Sequence, residues 1–272
     1  MSATVIPPHY FQRPVVARVQ DQLGGGTDNY AVDRAFARTL LAVAPWLPAS
    51  VRINRGHWLR VLDYLTQGLG IDQVIDLGCG LPHDDHRRLP DSVRRIVYVD
   101  NDPVVEGHAR MILAERVGTA SLLVDLTDVP ALLAAAPIQQ LDHDRPIGVL
   151  LHDVVPWLDD ATARTVLAAL GAHLPAGSVL SLTHATGDFT PAGQVARLAA
   201  LWQDAGIFFR PRTGTAIECL LAPWTLLGGC GLVTTATWHP PRAAFNQPLS
   251  QRAGLDHSHA YAALATTGDP TS

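Results

Sequence analysis

Three acidic residues each close an apolar run. Asp76 ends Val74-Ile75-Asp76, Asp100 follows Ile96-Val97-Tyr98-Val99, and Asp125 follows Leu122-Leu123-Val124. The first run, after Leu77, breaks into Gly78-Cys79-Gly80. Two glycines let the backbone take φ > 0 and let a ligand approach the main chain closely. A carboxylate about 20 residues further on, at the next strand end, suits a ribose: the turn makes room for a polar tail and the acid accepts from the hydroxyls. Two histidines, His152 and His184, sit at the ends of later apolar runs. They are the candidate bases, since imidazole titrates near neutrality, with a positioning or structural hydrogen-bonding role as the alternative.

The turn argues against a dinucleotide. Gly-x-Gly-x-x-Gly needs its third glycine to pack helix on strand, and here that position is His83, after Pro82. Asp76, just ahead of the glycines, is wrong for a phosphate and right for a cationic amine. A ligand with one nucleoside and an amino-acid tail fits better, and S-adenosyl-L-methionine is such a cofactor. The run His83-Asp84-Asp85-His86 offers metal-type ligands. No further cluster at suitable spacing joins it, so it reads as a solvated surface loop and no metal site is expected.

These residues need a scaffold of alternating strands and helices. Strands are expected over 73–77, 95–99, 120–124, 147–151 and 178–183, with edge strands near 207–210 and 231–238. Helices fall over 103–115, 128–135, 159–173, 191–205 and 214–228. That alternation implies an α/β fold with a doubly wound, mostly parallel sheet. Ahead of it lie helices over 15–23, from an Asp28-Asn29 cap to 43, and over 50–67. In the third, Val51, Leu59, Leu62 and Leu65 form an apolar stripe and Asn54, Arg55 and His57 lie on other faces. The chain divides into an N-terminal arm and helical lid (1–68), a Rossmann-like domain (69–240) and a weakly patterned tail (241–272).

Composition narrows the class. The chain has 272 residues, 47% of them hydrophobic, and a net charge of −5, which gives no electrostatic reason to expect nucleic acid. Its three cysteines show no CxxC spacing, which favours a reducing compartment over a structural zinc site. No signal peptide or membrane-length apolar run is apparent, so a cytoplasmic protein is expected.

The sequence resembles the class I S-adenosylmethionine-dependent methyltransferases, and more narrowly the actinobacterial S-adenosyl methyltransferase family. The resemblance rests on Arg13-Pro14, Arg18-Val19, Asp21, Leu23-Gly24-Gly25, Asp28-Asn29-Tyr30, Asp33-Arg34 and Asn54-Arg55. It continues through Asp76-Leu77-Gly78-Cys79-Gly80-Leu81-Pro82, Val97 to Val105, Leu141-Asp142, Arg145-Pro146, Leu174 to Ser178 and Thr183-His184-Ala185-Thr186. The loop from Pro82 to Pro90 is shorter than in the family. The resemblance implies a seven-stranded sheet and S-adenosyl-L-methionine as cofactor. Asp76 with the backbone at Gly78 and Gly80 would hold the methionine end, Asp100 the ribose, and Asn101, Asp125 and Leu126 the adenine. Gly24, Gly25, Asp28, Asn29 and Arg55 would belong to a lid over the cofactor. On the acceptor side, His152 or Asp153 would face the site mouth, and His184 would lie at the end of the next strand. The activity so implied is methyl transfer to a small molecule, in specialised metabolism. Non-methylating chemistry on the sulfonium (cyclisation or elimination) and a non-catalytic regulatory role stay open. The expected partners are a small-molecule acceptor and a second copy in a homodimer, with no nucleic acid and no membrane.

Overall fold

The computed structural model describes residues 6–84, 86–222, 224–227, 231–240 and 258–267. Three helices precede the sheet: α1 (Val16–Gly24), α2 (Ala31–Val43) and α3 (Leu47–Asp63), the last running on into a π turn at Tyr64–Gly68. α1 stops at Gly25, which takes the left-handed conformation (φ 91°) that ends many helices. α2 starts at Tyr30 rather than at Asp28-Asn29: the Tyr30 N–H donates to Asp33 Oδ2 at 2.9 Å.

Five parallel strands follow: β1 (Gln73–Leu77), β2 (Arg95–Asp100), β3 (Thr119–Leu123), β4 (Gly148–His152) and β5 (Val179–Ala185). Between and after them come α4 (Pro103–Ile112), α5 (Val129–Ala134), α6 (Ala136–Gln139), α7 (Asp160–His173), α8 (Ala192–Asp204) and α9 (Gly214–Leu220). Aspartates cap several of these: Asp102 accepts from Val104 and Asp159 from Thr162. The sheet order is β3-β2-β1-β4-β5, so the chain reverses its direction of travel between β1 and β4. That reversal opens a crevice at the carboxyl ends of the strands.

The far edge departs from expectation. The segment 207–210 is not a strand, and the one expected near 231–238 is reduced to β7 (Val233–Thr234). The helix expected over 214–228 stops at Leu220, ahead of Pro223, which has no N–H to continue it; β6 (Thr225–Leu226) follows. The largest correction concerns the tail. Ala260–Thr266 forms β8, which pairs antiparallel with β5 along seven residues and with β6 and β7 on its other side. Its run Ala-Tyr-Ala-Ala-Leu-Ala-Thr lacks alternation because both faces are covered, leaving no period-2 signal. The sheet therefore has eight strands rather than seven, because two short strands share one edge of β8. The rest of the expected tail, 241–257 and 268–272, lies outside the described residues.

Successive residues of β2 feed opposite layers. Val97 and Val99 join a core with α7 and α9, and Ile96 and Tyr98 one with α3 and α4. A third apolar cluster unites α1, α2, α8 and the start of α3 through Val19, Leu40, Val51 and Trp202. Among the described residues no helix is long and apolar enough to cross a membrane.

Candidate active site

The turn after β1 is built around its glycines. Gly78 and Gly80 have φ of 68° and 65°, and a Cβ on Gly78 would sit 2.5 Å from Val154 Cγ2. Any side chain there would push the turn off the β4 loop. The Gly78 N–H donates to Val99 O at 2.8 Å, tying the turn to the end of β2. The Gly80 N–H then donates to Asp100 Oδ2 at 3.1 Å, and the Asp102 N–H to Oδ1 at 2.9 Å. Two backbone donors thus orient one carboxylate, whose remaining lone pairs can accept from a ligand.

Asp76, Gly78, Gly80 and Asp100 open on one cavity of about 480 Å³. Asn101, Asp125 and Leu126 line the same cavity, as do Arg55 and His152. Its roof comes from the N-terminal helices. Val51, Asn54, Arg55 and Trp58 lie at the i, i+3, i+4 and i+7 spacing that shares one helical face. Asn54 and Arg55 therefore form part of the cavity wall, and His57 beside them is fully buried.

The charges inside are unusual. Burial pushes Asp76 up to about 7, against the lowering effect of a hydrogen bond from Trp58 and with a further rise from Asp100. Asp100 is raised to about 6, again by burial, partly offset by the amides of Asp102 and Gly80. Enclosure lifts Asp153 to about 7, although its side chain still reaches the cavity surface. At the rim, partial burial of Asp125 is outweighed by the Thr127 N–H and hydroxyl and by Asn101, which hold its carboxylate below the usual range. Burial drives His152 down to about 3. Its Nε2 meets Ser181 Oγ at 2.8 Å, while its Nδ1 and the neighbouring Thr183 Oγ1 have no hydrogen-bond partner among the described residues.

Five expected site residues do not line this cavity. Gly24 packs its bare Cα against the Arg55 guanidinium, which a side chain would displace. Gly25 is the cap of α1. Asn29 Nδ2 donates to Asp21 Oδ2 at 2.8 Å, and Asp28 lies 3.7 Å from His108 Nδ1 on α4. These residues shape and anchor the loop between α1 and α2. His184 is committed elsewhere. Arg212 Nη1 donates to its Nε2 at 2.9 Å, so Nδ1 carries the proton and donates to Ala185 O at 2.7 Å. Burial holds it at about 3.

The loop 83–86 corrects the sequence reading. His86 is buried, 3.9 Å from Asp76 Oδ2, and lines the cavity with His83. The two histidines thus face the cavity, while Asp84 between them is exposed. Among the described residues no group of three His, Cys, Asp or Glu could hold a metal ion. Trp58 was not legible as a site residue, because its partner Asp76 is distant in sequence.

The model of the S-adenosyl methyltransferase family matches residues 9–267. The chain belongs to that family. It is an S-adenosylmethionine-dependent methyltransferase. No curated protein matches it. Among solved structures it is similar to a DUF574 family protein of Streptomyces avermitilis MA-4680, at 28% identity and a TM-score of 0.85, covering 95% of this chain and 99% of the other. A candidate methyltransferase from Thermobifida fusca YX is 29% identical with a TM-score of 0.84, covering 98% and 100%. The fold also matches the N-methyltransferase NodS of Bradyrhizobium japonicum WM9 in complex with S-adenosyl-L-homocysteine, at 15% identity and a TM-score of 0.50, covering 93% of this chain and 100% of that one.

Beside the main cavity the methyltransferase has a second, smaller pocket of about 50 Å³. The two share Gln20, Val51, Asn54, Asp153 and Trp157 as walls. Four aromatic residues, Trp46, Trp157, Trp202 and Phe209, line the small one. Trp224 is in the core, and Phe189 and Phe208 are exposed.

Proposed function

We propose that this enzyme methylates a small-molecule acceptor in specialised metabolism, in the cytoplasm, with the cofactor lying along the 480 Å³ cavity. One observation carries the reading: Asp76 and Asp100, at neighbouring strand ends, open on one cavity beside a turn whose glycines leave the backbone accessible. The donor set fits the cofactor. Asp76 suits the ammonium and Arg55, the sole arginine among the described lining residues, suits the carboxylate. Asp100 has lone pairs for two ribose hydroxyls. Asn101, Asp125 and the backbone at Leu126 suit the adenine edge.

The bound cofactor supplies an activated methyl group, so the protein contributes alignment and exclusion of water. His152, kept neutral by burial, lines the cavity as a positioning group rather than as a strong base. His184 takes no part in this reading. Calorimetric titration with S-adenosyl-L-homocysteine tests the cofactor assignment. Methyl-labelled S-adenosylmethionine with an acceptor panel tests the reaction. Label in a product supports methyl transfer, whereas release of methylthioadenosine points to elimination at the sulfonium.

A further inference from the structure

We propose that the small aromatic pocket beside the cofactor cavity is the acceptor subsite, and that it selects an amine that docks as its ammonium on Asp153, gives one proton to that carboxylate and attacks the methyl group with the freed lone pair as S-adenosylhomocysteine leaves. The proposal rests on the methyltransferase reading of the larger cavity and names the substrate class that reading leaves open.

Asp153 stands at the junction. It lines both cavities, directly after β4, at the strand ends where the sheet reverses. Its backbone is left-handed, with φ of 57°, one of two non-glycine residues so placed among those described. The conformation is fixed from two sides: the Asp153 N–H donates to Thr183 O at 3.0 Å, and the Trp157 indole donates to Asp153 O at 2.7 Å. Strain of this kind persists where the surroundings over-determine it, and it commonly marks a site that uses it. The carboxylate receives one hydrogen bond among the described residues, from Gln20 Nε2 at 3.2 Å, and no cation pairs with it.

The pocket's chemistry decides the charge of its guest. Among the described residues lining it there is no arginine, and Asp153 and His259 are its only ionisable groups. His259 is engaged, with Nδ1 2.9 Å from Thr190 Oγ1 and its ring stacked on Trp46 at 3.5 Å. The other walls include Trp157, Trp202 and Phe209, three rings packed on one another. An anion would find aromatic faces and a carboxylate. An ammonium finds ring faces that attract it and an acid that is costly to keep ionised alone. The volume holds roughly three or four waters' worth of probe space, enough for a compact group and not for a large planar system.

The test uses three compact probes of similar shape: propylamine, propanol and propionate. Each is titrated into the full chain saturated with S-adenosylhomocysteine, with tryptophan emission as readout since Trp46, Trp157 and Trp202 line the pocket. The wild type should bind propylamine at least about tenfold more tightly than the alcohol, and propionate least. In Asp153→Asn, which suits the left-handed backbone, the preference should fall to within about threefold at saturating S-adenosylhomocysteine. Equal or tighter binding of alcohol or propionate, binding of no probe, or a preference kept in the Asn variant would overturn the proposal. The wild-type order alone decides if that variant does not fold. Failure of S-adenosylhomocysteine to bind would count against the cofactor assignment instead, and the probe series run without it still reads the pocket.

Discussion

The indole N–H of Trp58 donates to Asp76 Oδ2 at 2.8 Å, with both side chains buried. A helix of the N-terminal cap is thereby fastened to the central strand at the carboxylate that we assign to the cofactor's ammonium. Trp58→Phe keeps most of the volume and removes the donor. Denaturant unfolding should show a loss of about 1–3 kcal/mol, the cost of leaving a buried acceptor unpaired. Without that hydrogen bond Asp76 is protonated more readily, so S-adenosylhomocysteine should bind more weakly at pH 7. Calorimetry showing parental affinity would remove Trp58 from the site.

The buried acids and histidines act oppositely on stability. His83, His152 and His184 lie at about 3, and His57 and His86 are also lowered, from an ordinary 6.5. The unfolded chain therefore binds protons that the folded one does not, and stability rises with pH up to about 6.5. Asp76 and Asp153 at about 7, and Asp100 at about 6, are raised from 3.8. They bind extra protons in the folded state, so they cost stability as pH climbs through that window. Five histidines outweigh three aspartates up to about pH 7, where the two contributions nearly cancel. The ligand-free melting temperature should climb from pH 5 to 6.5 and level off near pH 7. A melting temperature that falls between pH 5 and 6.5 would contradict this balance.

Ligand binding should shift this balance. The cofactor's ammonium favours ionised Asp76, so binding near pH 6.5 should release protons. Titrations in buffers of different ionisation enthalpy read that release directly, and affinity should rise from pH 6 to 8. Asp76→Asn should lose both the proton release and most of the affinity.

Asp100→Ala removes the acceptor for two amides and, in our reading, for the ribose. The expected outcome is a loss of roughly 2–4 kcal/mol in S-adenosylhomocysteine affinity, since hydrogen bonds to a charged group contribute about 1.5–3 kcal/mol each and are not additive. The thermal shift given by the ligand should shrink accordingly. A variant that bound as tightly as the parent would sink the ribose assignment.

Arg212 separates structure from function. It donates to Asp160 Oδ1, to the carbonyls of Val155 and Leu158 and to His184 Nε2, and it is almost wholly buried. Arg212→Met should destabilise by on the order of 3 kcal/mol, as breaking a buried ionic network does. Its affinity for S-adenosylhomocysteine, measured below the melting transition, should stay unchanged. A large affinity loss would bring His184 and its partner back into the site.

The sequence alone set the alternation of strands and helices and the carboxylates at three strand ends. These are local signals: an apolar run, a glycine turn and an acid mark themselves within a few residues. It also supported the cofactor, because His83 replaces the third glycine and Asp76 precedes the turn. Tertiary structure decided what depends on distant partners. Only packing shows that Asn54 and Arg55 face a cavity, that Trp58 meets Asp76, and that Arg212 claims His184. β8 escaped notice because an alanine-rich strand covered on both faces has no period to read. Asp153 gained its place from a left-handed backbone between two cavities, a property of the folded chain that residue type does not encode.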